Sequence, residues 1–419
     1  MSRRVFITGV GVVAPGGASR DDFWKLLMDG RTATRTLSLC DPTPFRSQVA
    51  AEVDLDPEVA GLSERQVEVL DRAAQFALVA AREAVTDAGW RESCPPERAG
   101  VVIGSAVGAT TRLEQVYREL SLEGRLWDVM ADGPQALYSY FVPSSFAAEV
   151  AAEVGARGQS AVISTGCTSG IDAVGHAWEL IQDGVLDCVV AGATEAPISP
   201  ITVACFDAIK ATSTYNDTPA SASRPFDVSR GGFVLGEGSA MFVLESEESA
   251  VARGARVYGE IRGYASRGNA FHMTGLTADG LELAAAVTSA LGQARLRPDQ
   301  VDYVNAHGSG TKLNDKHETA ALKASLGEAA HHVPISSIKS MVGHSLGAIG
   351  AIEIAACAMA LRYDCIPPTA NLHTPDPALD LDYVPLHSRS QRTDAVLTTG
   401  SGFGGFQSAM VLTAPGMFS

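Results

Sequence analysis

The sequence has no Cys-x-x-Cys pair, no linker, no low-complexity tract and few lysines, and each absence excludes something. Its seven cysteines, at 40, 94, 167, 188, 205, 357 and 365, are odd in number and scattered. That is neither a disulfide framework nor a zinc site. It points to a cytoplasmic protein whose cysteines are mostly small buried hydrophobes. No run of about 18 apolar residues occurs, so no membrane span is expected. The opening MSRRVFITGVGVVAPGG carries two arginines, but Gly and Pro interrupt its apolar run. It reads as a first strand and turn rather than a signal peptide. Positive charge is scarce: 32 basic against 48 acidic residues give a net charge of −16. Nucleic acid is therefore not expected as the main partner, because a phosphate binder presents a basic surface. No histidines stand at metal-ligand spacing, so no metal is expected, and His331-His332 reads as a solvated loop pair.

What is present is ordinary globular composition, 46% hydrophobic and 19% charged over 419 residues. Short apolar strands alternate with Ala-rich helices. Strands are predicted at 5–8, 100–104, 161–164, 187–191, 240–244, 259–264, 303–306 and 395–399. Helices are predicted at 71–88, 145–154, 171–183, 281–294, 316–326 and 346–362. Continuous apolar strands between helices predict a largely parallel sheet covered on both faces. A faint internal repeat is also present. VISTGCTSG running into IDAVGHAWELI lies over PISSIK running through SMVGHSLG into AIGAIEIAACAMAL, so Gly166–Gly170 matches Gly343–Gly347. Likewise FITGVGVVAP resembles GEIRGYASR. Two related α/β halves are expected to place reactive residues where they meet.

Cys167 stands on a glycine-flanked turn between a β-branched strand and a helix. It is either an inert buried thiol or a nucleophile. A helix N-terminus favours the thiolate, and the glycines permit a tight turn and close substrate approach. His307 (NAHGSGT) and His344 (VGHSLG) lie in similar turns, each either structural or suited to polarising a carbonyl and managing protons. Lys339, one of six lysines, lies in an uncharged stretch. It and Glu318 either form a buried pair or are unrelated surface charges. GSGFGGF, with Phe403 among glycines, is either a plain β-turn or a source of oxyanion-binding N–H groups. The early GVGVVA formally matches a dinucleotide fingerprint, but Pro15-Gly16-Gly17 replaces the required helix start, which excludes nucleotide binding.

Taken together, VISTGCTSGIDAVG, NAHGSGT, SSIKSMVGHSLGAIG and GSGFGGF resemble the β-ketoacyl-acyl-carrier-protein synthases of the thiolase superfamily over essentially the whole chain. The stretches AGATEAPISPITVACFDAIKATS, SRPFDVSRGGFVLGEGSAMFVLE, FHMTGL and GSGFGGFQSAMVL further resemble the ketosynthase alpha subunits of bacterial type II aromatic polyketide synthases. The resemblance implies a thiolase-like fold with duplicated βαβ halves in five α-β-α-β-α layers. Residues 1–250 would carry the nucleophilic Cys and 251–419 the catalytic His, Lys and His. It implies that Cys167 takes the acyl chain and that His307 and His344 stabilise the malonyl-derived enolate. The N–H groups of Cys167 and Phe403 would bind the oxyanion, and Lys339, paired with Glu318, would organise the His pair. Ser309 and Thr311 would contact the phosphopantetheine arm. That arm arrives on an acyl carrier protein as substrate, so no resident cofactor is expected. Arg72 and Lys210 match carrier-docking positions at the tunnel mouth. A chain-length factor subunit is the implied heterodimer partner, facing residues 106–112. The alternative is a homodimeric fatty-acid elongating synthase.

Overall fold

Largely apolar stretches form most of the strands, and each half of the chain arranges five of them in the same order. In the computed structural model, which describes residues 3–90, 94–126 and 136–417, the first half supplies β1 (Val5–Val13), β2 (Ala99–Gly104), β3 (Ser160–Ile163), β4 (Cys188–Glu195) and β5 (Gly238–Ser246). They lie in the order β3-β2-β4-β5-β1, the first two pairings parallel and the last two antiparallel. The second half supplies β6 (Gly259–Gly268), β7 (Tyr303–Asn305), β8 (Ile335–Ser336), β9 (Ala395–Gly402) and β10 (Phe406–Thr413). Its order, β8-β7-β9-β10-β6, repeats the same two parallel and two antiparallel pairings. The halves join where Val5–Ile7 of β1 pairs antiparallel with Gly259–Ile261 of β6. The sheet is therefore mixed, which corrects the expectation of a largely parallel one. Helices cover both faces, so antiparallel β1 and β5 are as fully buried as their parallel neighbours. An unbroken apolar run reports burial, not strand direction.

Six helices complete the layers: α1 (Arg72–Ala88), α2 (Ser145–Val154), α3 (Ser169–Gln182), α4 (Leu281–Ala294), α5 (Lys312–Leu326) and α6 (Ile349–Tyr363). Helices α1 and α2 cover the outside of the first half, and α4, backed by α5, covers the outside of the second. Helices α3 and α6 touch each other and strands of both halves, forming the middle of five α-β-α-β-α layers. Helix α1 starts on the Asp71 cap, whose side chain accepts the Ala73 N–H, and stops at left-handed Gly89. Its alanines lie directly on β1. A Cβ on Gly9 or Gly11 would sit 2.1 or 2.0 Å from the Ala84 or Ala80 carbonyl oxygen. These glycines of the apparent dinucleotide fingerprint thus serve helix–strand contact.

The stretch Leu346–Tyr363 is long and apolar enough to cross a membrane, with mean hydropathy 1.5, but 89% of it is buried. It is the central core helix with its lead-in turn, and Glu353 and Arg362 break what would otherwise be an uninterrupted apolar run. Cys167, between β3 and α3, and His344, between β8 and α6, occupy equivalent positions in the two halves. The two turns come together because α3 and α6 cross at glycine: a Cβ on Gly170 would lie 2.4 Å from the Ala351 nitrogen.

Candidate active site

The turn carrying Cys167 depends on Gly166 at φ +62°. Its flanking threonines are tied down by Asp172, which accepts from Thr165 Oγ1 at 2.5 Å and Thr168 Oγ1 at 2.8 Å. Against this turn lies the loop after β9. A Cβ on Gly402 would stand 2.9 Å from the Thr165 oxygen and 3.3 Å from the Cys167 nitrogen, so only glycine permits the approach. The approach brings the Phe403 N–H to the Cys167 sulfur. Burial pushes the thiol up to about 11, against the lowering influence of Lys339 and the Phe403 N–H. Burial thus works against the thiolate that the helix N-terminus would favour.

His307 is fixed through its backbone. Glu318 accepts the N–H groups of His307 and Gly308, each at 2.7 Å, and the Thr399 hydroxyl at 2.7 Å. Lys339 donates to the His307 carbonyl at 2.5 Å, and its Nζ stands 3.4 Å from His307 Nδ1. An ammonium has no lone pair, so Nδ1 must be the acceptor, leaving Nε2–H as the donor. His344 is held by main-chain bonds, its N–H to Val234 O at 2.8 Å and its carbonyl from the Gly236 N–H at 3.0 Å. Its ring packs edge-on to Phe233 with centroids 5.1 Å apart and stands 5.3 Å from the His307 ring. His344 Nδ1 is buried without a hydrogen-bond partner. Burial first, then Lys339, pushes both imidazoles well below their ordinary value, with His344 adding to the effect on His307. Both rings are therefore neutral at neutral pH.

The expected Lys339–Glu318 pair does not form. Lys339 pairs with Glu353 of α6, both fully buried. Glu318 faces the backbone of residues 307–308 instead, because it projects from α5 toward the N–H side of that turn. Both acids thus support His307, one through the main chain and one through the lysine. Sequence reasoning missed Glu353, although a lone carboxylate in the apolar run AIGAIEIAACAMAL was the available signal. It also missed Phe233, which carried no distinguishing pattern.

One cavity of about 780 Å³ gathers Cys167, His307, His344, Phe403, Ser309 and Thr311, with Lys210 among its lining residues. Ser309 and Thr311 hydroxyls stand 3.0 Å apart on its wall. Arg72 does not line that cavity. It donates to buried Glu237 at 2.7 and 2.9 Å and to Val53 O at 2.7 Å. About a quarter of its side chain, 27%, stays exposed beside that carboxylate. Among the described residues no cluster of three or more His, Cys, Asp or Glu could hold a metal ion.

Residues 2–250 match the N-terminal domain of β-ketoacyl synthases, and residues 258–373 match their C-terminal domain. The chain is 61% identical over 415 residues to the tetracenomycin polyketide synthase ketoacyl synthase alpha subunit of Streptomyces glaucescens, covering 99% of this chain and 97% of that protein. It is 38% identical to the 3-oxoacyl-[acyl-carrier-protein] synthase 2 of a Synechocystis strain, over 96% of each. In fold it matches, with TM-score 0.92, 37% identity and coverage of 99% and 100%, a ketosynthase bound to the hexaketide in complex with its type II acyl-carrier protein. It matches the ishigamide ketosynthase/chain length factor with TM-score 0.91 and 32% identity over 99% and 100%. With both domains matched over most of its length and 61% identity to one such subunit over nearly the whole chain, the chain belongs to the β-ketoacyl synthase family.

Proposed function

We propose that the chain is the ketosynthase alpha subunit of an aromatic polyketide synthase, catalysing decarboxylative condensation of malonyl-carrier protein onto a Cys167-bound poly-β-keto chain. The observation that carries this reading is the meeting of Cys167, the Phe403 N–H and two neutral imidazoles in one cavity. In the first step the Cys167 sulfur adds to the acyl thioester. The N–H groups of Cys167 and Phe403 receive the oxyanion, and the carrier thiol leaves with the proton that Cys167 gave up. In the second, His307 Nε2–H and the His344 imidazole donate to the malonyl thioester carbonyl. The bond to the carboxylate breaks, carbon dioxide departs, and its electron pair enters the enolate. The enolate carbon then attacks the acyl-Cys carbonyl, and the Cys167 sulfur leaves as a thiolate that takes a proton from solvent. Neutral imidazoles suit this, because they donate without needing to lose a charge.

Ser309 and Thr311 line the path for the phosphopantetheine arm, which comes with the substrate; no resident cofactor is required. A carrier protein is the acyl donor, and Lys210 offers it positive charge at the mouth. A chain-length factor is the partner subunit, as in the ishigamide ketosynthase/chain length factor. Identity of 61% to the tetracenomycin subunit against 38% to the Synechocystis synthase favours this over fatty-acid elongation. The test is Cys167→Gln, whose amide imitates the acyl thioester. It should release carbon dioxide from malonyl-carrier protein without condensation. Adding His307→Ala or His344→Ala should slow that release by about 10²-fold or more. Unchanged release in both double variants would remove the imidazoles from the enolate step.

A further inference from the structure

Glu195 ends β4 in the interior, wholly buried, and has no part in the steps above. All of its hydrogen-bonding partners are donors from two turns. Oε1 accepts from Ser105 Oγ at 2.9 Å and Val107 N at 3.2 Å. Oε2 accepts from Ala106 N at 2.6 Å and Gly347 N at 3.0 Å. The first turn follows β2, and its Ala106 and Val107 pack in the same apolar cluster as Cys167. The second carries His344. The carboxylate therefore fastens a first-half turn to the second-half turn that supplies a catalytic imidazole.

That second turn needs fastening. Leu346 adopts φ +44°, a left-handed conformation that a branched side chain resists. Its side chain is buried beside Cys167, which fixes it there. His344 has no hydrogen bond on Nδ1 to orient its ring, so ring placement depends on packing and on the backbone that carries it. Upstream that backbone is held by Val234 O and the Gly236 N–H. Downstream, the Gly347 N–H is held by Glu195. There is no slack between them: a Cβ on Gly347 would lie 2.4 Å from Ala106 N and 2.5 Å from Glu195 Oε2.

We propose that Glu195 is a positioning residue for the decarboxylation step, locking the His344 turn against the 105–107 turn so that the imidazole meets the malonyl carbonyl. Glu195→Gln is the discriminating change. An amide retains one acceptor oxygen: with its NH₂ in the Oε2 place it opposes the Ala106 and Gly347 N–H groups, and in the Oε1 place it opposes the Val107 N–H, so either way the clamp between the turns loses an acceptor. This inference rests on the assigned role of His344, and the test separates the two. Two rates are measured on the enzyme with its partner subunit: acyl loading of Cys167 from acyl-carrier protein, and carbon dioxide release from malonyl-carrier protein. His344→Ala serves as control. Glu195→Gln should slow release about tenfold or more relative to loading, since a displacement near 1 Å at the reacting centre suffices for losses of that order. A general loss of folding would lower both rates together. If Glu195→Gln does not fold, Gly347→Ala keeps the carboxylate, displaces the same contact and is read by the same ratio. An unchanged ratio in the folded variant, with His344→Ala impaired in release, overturns the positioning role. Unimpaired release in His344→Ala overturns the underlying assignment instead.

Discussion

Replacing Lys339 by Met removes a buried cation and keeps most of its volume. Lys339 and Glu353 are 1% and 0% exposed, so the pair lies in full desolvation. Removing one partner of such a pair costs about 3–5 kcal/mol, because the other is left uncompensated. Burial already raises Glu353 to about 7, with Lys339 pulling it down. Without the lysine it rises further and the carboxyl stays protonated in the folded protein. The unfolded carboxyl ionises near about 4.3. The folded state of the variant then binds more protons than the unfolded state, so stability is lost as pH rises. The slope approaches about 1.4 kcal/mol per pH unit above the unfolded value. The parent shares that slope up to about 7, so Lys339→Met should run parallel to the parent below about pH 7 and fall away from it above. Denaturant unfolding of the assembled enzyme at several pH values measures this. Lys339→Met/Glu353→Gln should recover most of the stability and flatten the pH dependence. It should not recover decarboxylation, since His307 Nδ1 still lacks the cation that fixes its tautomer. A pH-independent loss, or a double variant with full activity, would refute the reasoning.

Three further outcomes follow from the same geometry. Because the Cys167 thiol is pushed up to about 11, its alkylation by iodoacetamide should keep accelerating beyond pH 9.0, the ordinary thiol value. A plateau at or below neutrality would show a resting thiolate. Charge reversal in Lys210→Glu should raise KM for the carrier protein several-fold in low salt and leave stability unchanged, as rim charges govern encounter. Arg72→Ala should do the opposite, lowering the unfolding midpoint with KM unaltered, and steady-state kinetics beside denaturation curves separate the two.

Much of this arrangement was legible in the residues themselves. Glycine pairs flanking Cys167 and His344 marked the equivalent turns of the duplicated halves, because only glycine allows α3 and α6 to cross where those turns meet. Apolar runs located most of the strands but not their direction, since burial on both faces erases the alternation that separates parallel from antiparallel. Cys167, His307, His344 and Phe403 could be found by their turns. The charge partners could not. Lys339 lies 14 residues before its true partner Glu353, and nothing linear ranks that carboxylate above Glu318. Nor does anything linear pair Arg72 with Glu237, 165 residues away. The thiol's protonation depends on how dry the assembled cavity is, which no local motif records.

The most direct test of the central claim is intact-protein mass spectrometry of the chain co-expressed with the proposed chain-length factor partner and supplied with malonyl-carrier protein. The account predicts adducts on Cys167 that grow by successive unreduced –CH₂–CO– units, absent from Cys167→Ala. Chains attached to another residue, or growth to the same length on the homodimer without the partner, would contradict it.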